Sequence, residues 1–273
     1  MANSINTNVG TLIALQSLRT TQSNLYVASK QVQTGYRVAD ASDDASTFSV
    51  AQGVRANLQA YSSIQGSLAN GAGLGAVTQA ALTNISDLVG NLQGKITQLA
   101  DGSISADQRT IYTADYNALT QQVSNFISQA NYNGTNLLSA GSAGKTFLAD
   151  TNAATLTIGA QSSVDAAFTA FTGAAGVASA SAAASALGSL STFQQAVATS
   201  LGANAAETRA LSLQSNFVNT VVDSVTTGLG AIVDADIGRA SAAVQAQQVR
   251  QQLGVQSLSI ANEQPGTLLG LFA

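Results

Sequence analysis

The last third of the chain carries the pattern that most restricts its fold. Leu211, Val218, Val222, Val225, Leu229 and Ile232 recur at steps of seven, four, three, four and three, the spacing of a helix that packs lengthwise against another helix. One column over, the stripe continues through Val233, Ile237, Ala240 and Val244. It shifts phase across Gln245, Gln247 and Gln248 and resumes at Val249 and Leu253. Pro265, the sole proline, either interrupts this helix or opens a new turn. Beyond it, Leu268, Leu269, Leu271 and Phe272 crowd the C-terminus. Chain ends fray in water unless they are tied down. An end this apolar needs a partner, and the other end of the same chain is the natural candidate.

That other end is helical too. From about Val9 to Tyr36, Leu12, Leu15, Leu25, Val32 and Tyr36 lie near one face, with Gln22 and Ser29 inside the stripe. Polar groups at seam positions weaken a two-helix contact but fix its register. Residues 35–44 break the pattern with turn and capping types, and Asp40, Ser42 or Asp43 could cap the helix that follows. That second helix starts near Ala45 and shows Val54, Leu58, Tyr61, Ile64 and Leu68, then Val77, Ala81, Ile85, Leu88, Leu92, Ile96 and Leu99. Between the two runs lie Gly71, Gly73 and Gly75. Each costs a helix roughly 1 kcal/mol against alanine, so only packing can carry the helix through them.

Ser105 and Gln108 form a capping box that starts a third helix near Ala106, with Ile111, Leu119, Val123 and Phe126 on its apolar side. Asn133-Gly134 marks a turn. Over residues 137–159 the period falls to two around Phe147, Leu148, Leu156 and Ile158, which predicts a small hairpin. Residues 161–190 are Ala/Ser-rich low complexity: a weak helix, a loop or both. A break at 233–236 matches the one at 36–44. The expected fold is therefore mainly α. It is an elongated antiparallel helical bundle with N- and C-termini paired in a coiled coil, plus a small β-hairpin region. Its expected domains are an inner terminal coiled coil of residues 1–44 and 234–273 and a helical bundle of residues 45–233.

Composition excludes several classes. Only 9% of the 273 residues are charged and the net charge is -4. The ten Lys and Arg lie scattered from Arg19 to Arg250 with no basic run, so no nucleic-acid partner is expected. No apolar run is long enough for a membrane span, and Met1 to Gly10 lack the regions of a cleaved secretory signal. Cysteine and histidine are absent, which removes thiolate chemistry and the commonest general base and metal ligand. Lys30, Lys95 and Lys145 have no Ser-x-x-Lys partner in an enzyme-like context, and the Gly71–Gly75 cluster follows a helix rather than the strand a phosphate loop requires. Asp43 and Asp44, like Asp234 and Asp236, suit helix capping better than metal binding. No catalytic residue, cofactor or metal is expected. With one proline and no cysteine, the chain suits movement in an unfolded state followed by rapid folding.

Several segments resemble bacterial flagellin. Ile5-Asn-Thr-Asn8 resembles that family's N-terminal opening. Thr34-Gly-Tyr-Arg-Val38 with Ala41-Ser-Asp-Asp-Ala45 resembles its Ser-Gly-Leu-Arg-Ile…Ala-Lys-Asp-Asp-Ala segment. Asn131-Tyr-Asn-Gly134 with Leu137-Leu138 resembles its approach to the β region. Ile232-Val-Asp-Ala-Asp236 and Ala261-Asn…Gln264-Pro265…Leu268-Leu269-Gly270-Leu271 resemble motifs near its C-terminus. The resemblance spans roughly residues 1–158 and 201–273.

It implies a subunit that is exported unfolded and polymerises into the extracellular filament that drives swimming. Its partners would be copies of itself, an export chaperone, the filament cap and the hook–filament junction proteins. Leu12, Leu15, Leu25, Val249, Leu253, Leu268, Leu269, Leu271 and Phe272 are expected at the inner subunit interface. Val54, Leu58, Leu88, Leu92, Val218, Val222, Val225 and Leu229 are expected in the surrounding helical bundle. Thr169, Thr172, Ser179, Ser181, Ser185, Ser189 and Ser191 are candidates for the O-glycosylation that many flagellins carry. Large outer domains look missing. Asn91-Leu-Gln-Gly-Lys-Ile-Thr-Gln-Leu99 lacks the Arg and Glu of the family's segment for the innate-immune receptor, which argues against recognition there. A hook–filament junction protein, or a secreted adhesin or effector using the same export route, would share the terminal pattern.

Overall fold

A computed structural model describes residues 8–174 and 176–270, with side chains through residue 263. Six helices and one hairpin occur among the described residues: α1 (Val9–Thr34), α2 (Ala45–Ala100), α3 (Ala106–Gln129), β1 (Lys145–Leu148), β2 (Thr155–Ile158), α4 (Ser163–Ala174), α5 (Ala180–Val233) and α6 (Ile237–Gly270). The fold is mainly α, with long helices packed on one another. The chain divides into two compact units, one up to Leu58 and from Ser224 onward, the other Gln59–Asp223. α2 and α5 contribute to both.

Local chemistry sets the helix ends. Asn8 caps α1 by accepting from the Thr11 amide, and Gly35 closes it with φ of 75°, a left-handed conformation that suits glycine. α2 is capped by Asp44, whose carboxylate takes the Ser46 and Thr47 amides. The sequence favoured Asp40, Ser42 or Asp43 instead. Those residues are held by their own loop: Asp43 accepts from the Ala39 and Asp40 amides and leaves the helix end to its neighbour. Ser105 and Gln108 form the expected capping box. Arg109 adds a second tie by donating to the Leu99 carbonyl at 2.7 Å, one of the carbonyls left open at the end of α2.

In the second unit one core joins α2, α3, α4 and the start of α5. Leu82, Ile85, Leu92, Ile96 and Leu99 meet Val123, Leu138, Phe168, Phe171, Ala183, Leu190, Phe193 and Val197. The low-complexity stretch is thus largely helical and partly buried, because Val164, Phe168 and Phe171 recur at helical spacing and fill the core. Phe171 stacks on Phe193 with ring centroids 6.1 Å apart, and Tyr116 meets Phe171 edge-on. A second core joins Ile64, Leu68 and Leu74 of α2 to Leu137, Ile158, Leu211 and Val218. The hairpin pairs Phe147 with Leu156 and Lys145 with Ile158, antiparallel.

Of the seven glycines of α2, Gly71, Gly73 and Gly75 mark where neighbours press closest. A Cβ at Gly71 would meet the Phe147 ring at 2.9 Å, one at Gly73 the Tyr132 ring at 2.8 Å, and one at Gly75 the Thr208 hydroxyl. The helix runs through them because bare backbone lets the hairpin, the Tyr132 turn and α5 approach.

Candidate assembly interface

The first unit is built on the pairing of α1 with α6, which run antiparallel: Asn8 and Thr11 lie beside Ala261 and Asn262, and Gly35 beside Ala235. On α1 the inward positions are Thr11, Ala14, Leu18, Thr21, Leu25 and Ala28; on α6 they are Ala240, Val244, Gln247, Gln251, Gly254, Leu258 and Ala261. Both sets alternate threes and fours, the spacing of a coiled coil. The α6 seam therefore keeps its phase through Gln247 rather than shifting, and small and polar residues dominate it. A Cβ at Gly254 would come within 3.3 Å of Leu18, so the two backbones approach closely there.

The large apolar side chains mostly face the other way. Leu12 is 57% exposed, Ile13 64%, Val249 54%, Leu253 58% and Ile260 58%. Val9, Tyr26, Val27, Ile237 and Val255 are exposed as well. Leu25 sits in the seam and Leu15 beside it, both half-buried, and Leu253 flanks the groove between α1 and α6. Leu268 and Leu269 belong to the last turns of α6, of which only the backbone is described. Leu271 and Phe272 lie outside the described residues.

Pro265 does not end α6, which continues to Gly270. A proline inside a helix removes the N–H that would bond the carbonyl four residues back. Here that carbonyl belongs to Ala261, and it accepts from Asn8 Nδ2 at 2.7 Å. Asn8 thus caps α1 with its oxygen and meets the open carbonyl of α6 with its nitrogen.

At the far end of the pair the two chain breaks bond to each other. Tyr36 and Asp234 form an antiparallel bridge. The Arg37 amide donates to Val233 O at 2.7 Å, the Arg37 guanidinium to Ile232 O at 2.6 Å, and the Ala235 amide to Gly35 O at 2.9 Å. The Arg55 guanidinium lies over the Tyr36 ring. Lys30 of α1 reaches into the loop at residues 36–44 and pairs with Asp40 at 2.6 Å and Asp43 at 2.7 Å. The Lys30 and Ser42 hydrogen bonds pull the Asp40 carboxyl down to about 2, and the Lys30 bond also lowers Asp43. Asp236 caps α6 by accepting from the Arg239 amide. Sequence reasoning placed both breaks; it missed the Lys30 clamp, for which two carboxylates ten and thirteen residues after a lysine were the available sign.

Of the bundle residues, Leu92 and Val218 are fully buried, and Leu88 and Val222 pack against the two cores of the second unit. Val54, Leu58, Val225 and Leu229 are half-buried in the first unit. Thr169, Thr172, Ser179, Ser181, Ser185 and Ser191 are exposed on α4 and around the start of α5, and Ser189 is half-buried. Among the described residues no helix is long and apolar enough to cross a membrane, and no three acidic residues gather where they could hold a metal.

Paired ends of this kind, joined to a helical bundle with a small hairpin, define an α-helical protein whose termini close on each other in an antiparallel coiled coil. Residues 5–143 match the bacterial flagellin N-terminal helical region, and residues 181–272 match the bacterial flagellin C-terminal helical region. The chain belongs to the bacterial flagellin family. It is 34% identical to flagellin FljN and 32% identical to flagellin FljK of Caulobacter vibrioides, each over 99% of this chain and 98% of the relative. A flagellin of Brucella melitensis is 32% identical over 98% of this chain and 99% of its own length. The crystal structure of Bacillus cereus flagellin shares the fold, with a TM-score of 0.50 over 56% of this chain and 88% of that one, at 20% identity.

Proposed function

We propose that the chain is a structural subunit of the extracellular flagellar filament, exported unfolded and assembled by packing of its terminal helices. The observation that carries this reading is the inverted distribution of side chains on α1 and α6: small and polar residues in the seam, large apolar ones outside it. Covering a Leu or Val side chain contributes about 1.5–3 kcal/mol, so a handful per subunit outweighs any exposed ion pair. Family membership supports the same reading.

Residues 1–44 and 234–273 form the inner coiled-coil layer in this reading, with Leu12, Leu15, Leu25, Val249, Leu253, Leu268, Leu269, Leu271 and Phe272 at contacts between subunits. Residues 45–233 form the surrounding bundle, where the exposed hydroxyls of α4 and early α5 would accept O-linked sugars. An export chaperone, the cap and the junction proteins are its further partners. The segment from Asn91 to Leu99 buries Leu92, Ile96 and Leu99 and presents Gln93, Thr97 and the partly exposed Lys95, without the Arg and Glu pattern the innate-immune receptor would read.

Seeded polymerisation followed by electron microscopy tests the proposal. The full chain should extend into long filaments. A chain lacking residues 268–273 should not, while its helices over 45–131 remain folded by circular dichroism. Caps or short rings would indicate a junction protein, and filaments from the truncated chain would remove the last residues from the contact.

A further inference from the structure

The chain contains two Asn-Gly steps, Asn70-Gly71 and Asn133-Gly134. Such a step is open to intramolecular attack, because glycine places no Cβ beside its amide nitrogen. That nitrogen gives up its proton to solvent and bonds to the asparagine side-chain carbonyl carbon, and ammonia leaves. Water then opens the resulting five-membered imide to aspartate or isoaspartate. The fold treats the two steps differently. Asn70-Gly71 lies within α2, where the glycine is buried and its amide belongs to the helix ladder.

Asn133-Gly134 is exposed at the tip of a turn. Its two residues have φ of 48° and 77°, the positive pair a type I′ turn requires. Tyr132 and Thr135 close the turn with reciprocal amide-to-carbonyl bonds, each 2.9 Å. Tyr132 packs against the bare backbone of Gly73, which pins the turn to α2. The attacking nitrogen is engaged as well: the Gly134 amide donates to Asn131 Oδ1 at 2.9 Å.

We infer that Asn131 protects Asn133-Gly134 from deamidation by holding the Gly134 nitrogen as a hydrogen-bond donor, facing away from the Asn133 side chain. A nitrogen so engaged resists losing its proton and cannot reach the carbonyl carbon without opening the turn. This goes beyond assembly and concerns the chemical lifetime of the folded chain.

Mass spectrometry of full-length protein incubated at mildly alkaline pH tests it, since amide-to-acid conversion raises the mass of the peptide carrying each step. Folded wild-type protein should convert at both steps far more slowly than urea-unfolded protein. Asn131→Ala should convert at Asn133 about five-fold faster than folded wild type, the population change expected from losing one ordinary hydrogen bond, while Asn70 stays protected. Asn131→Asp keeps an acceptor and should restore protection. Equal rates at Asn133 in folded and unfolded wild type would overturn the inference. So would an unchanged rate in Asn131→Ala. If that variant converts at Asn70 too it has unfolded, and Asn131→Asp then decides: conversion confined to Asn133 overturns the role of the acceptor, and protection upholds it.

Discussion

The side-chain amide of Asn8 donates to the carbonyl of Ala261 at 2.7 Å, across 253 residues of sequence. The contact joins the first residue before α1 to the turn of α6 that Pro265 leaves short of a hydrogen bond. Asn8→Asp should keep the α1 cap and lose this donor; Asn8→Ala should lose both. A capping residue contributes about 1 kcal/mol. Thermal unfolding followed by circular dichroism should therefore rank wild type above Asn8→Asp, and Asn8→Ala lowest. Equal melting of wild type and Asn8→Asp would show that the tie to Ala261 contributes nothing.

The exposed apolar face should be separable from the stability of the subunit itself. Leu12→Ser and Leu253→Ser alter side chains 57% and 58% exposed, so unfolding of the monomer in urea should change by no more than about 0.5 kcal/mol. Seeded assembly should slow sharply or stop. Leu18→Ala, in the seam beside Gly254, should instead destabilise the α1–α6 pair before any neighbour arrives.

Acid should loosen the loop at residues 36–44 in a defined window. The carboxyl of Asp40 is lowered from 3.8 to about 2 by its contacts with Lys30 and Ser42. A group whose folded value lies below its unfolded one stabilises fully above the unfolded value, and that contribution disappears as pH falls through the folded value. The loop should hold above pH 3.8 and release as pH approaches 2. Lys30 is shifted upward from 10.5 by its hydrogen bonds to Asp40 and Asp43, so its contribution is complete below 10.5 and fades as pH rises beyond its folded value. The pair stands at the surface, where salt screens it. Amide resonances of Ala39 and Ser42 report the change, and Lys30→Met should move the Asp40 midpoint back toward 3.8. A midpoint unmoved by that substitution would assign the shift to the loop alone.

Glycines in α2 should divide into two kinds. Gly73→Ala sets a methyl 2.8 Å from the Tyr132 ring, and overpacking of this sort costs about 1–3 kcal/mol. At Gly90 a Cβ meets nothing within 4 Å, so Gly90→Ala should stabilise by roughly 0.5–1 kcal/mol through helix propensity. Urea unfolding of the two variants should move the midpoint in opposite directions.

Periodicity made the helices legible, and turn chemistry made the breaks legible. Ser105 with Gln108 announced α3, and the alternation through Leu156 and Ile158 announced the hairpin. Packing direction was harder to read. A stripe of large residues at Val249 and Leu253 looks like a seam, yet the seam runs through Gln247, Gln251 and Gly254. The sequence-based expectation assumed that the bulkiest side chains face the nearest helix. In a chain whose ends also pack on other copies, bulk can serve the outer contact while small residues serve the inner one. The cap of α2 slipped by one position because Asp43 and Asp44 are chemically alike, and only the reach of Lys30 tells them apart. Phe168, Phe171 and Phe193 were obscured by the alanines and serines around them, although the first two keep helical spacing with Val164.

The bridge between Tyr36 and Asp234 gives α1 and α6 a common origin from which both are measured. At the opposite end Asn8 must still find the carbonyl that Pro265 exposes. A residue inserted into one helix rotates every later side chain about its axis and carries that end out of reach. Variants that lengthen or shorten α1 by a heptad should be tolerated only when α6 changes by the same amount, so the two distant stretches of sequence are bound to evolve in step.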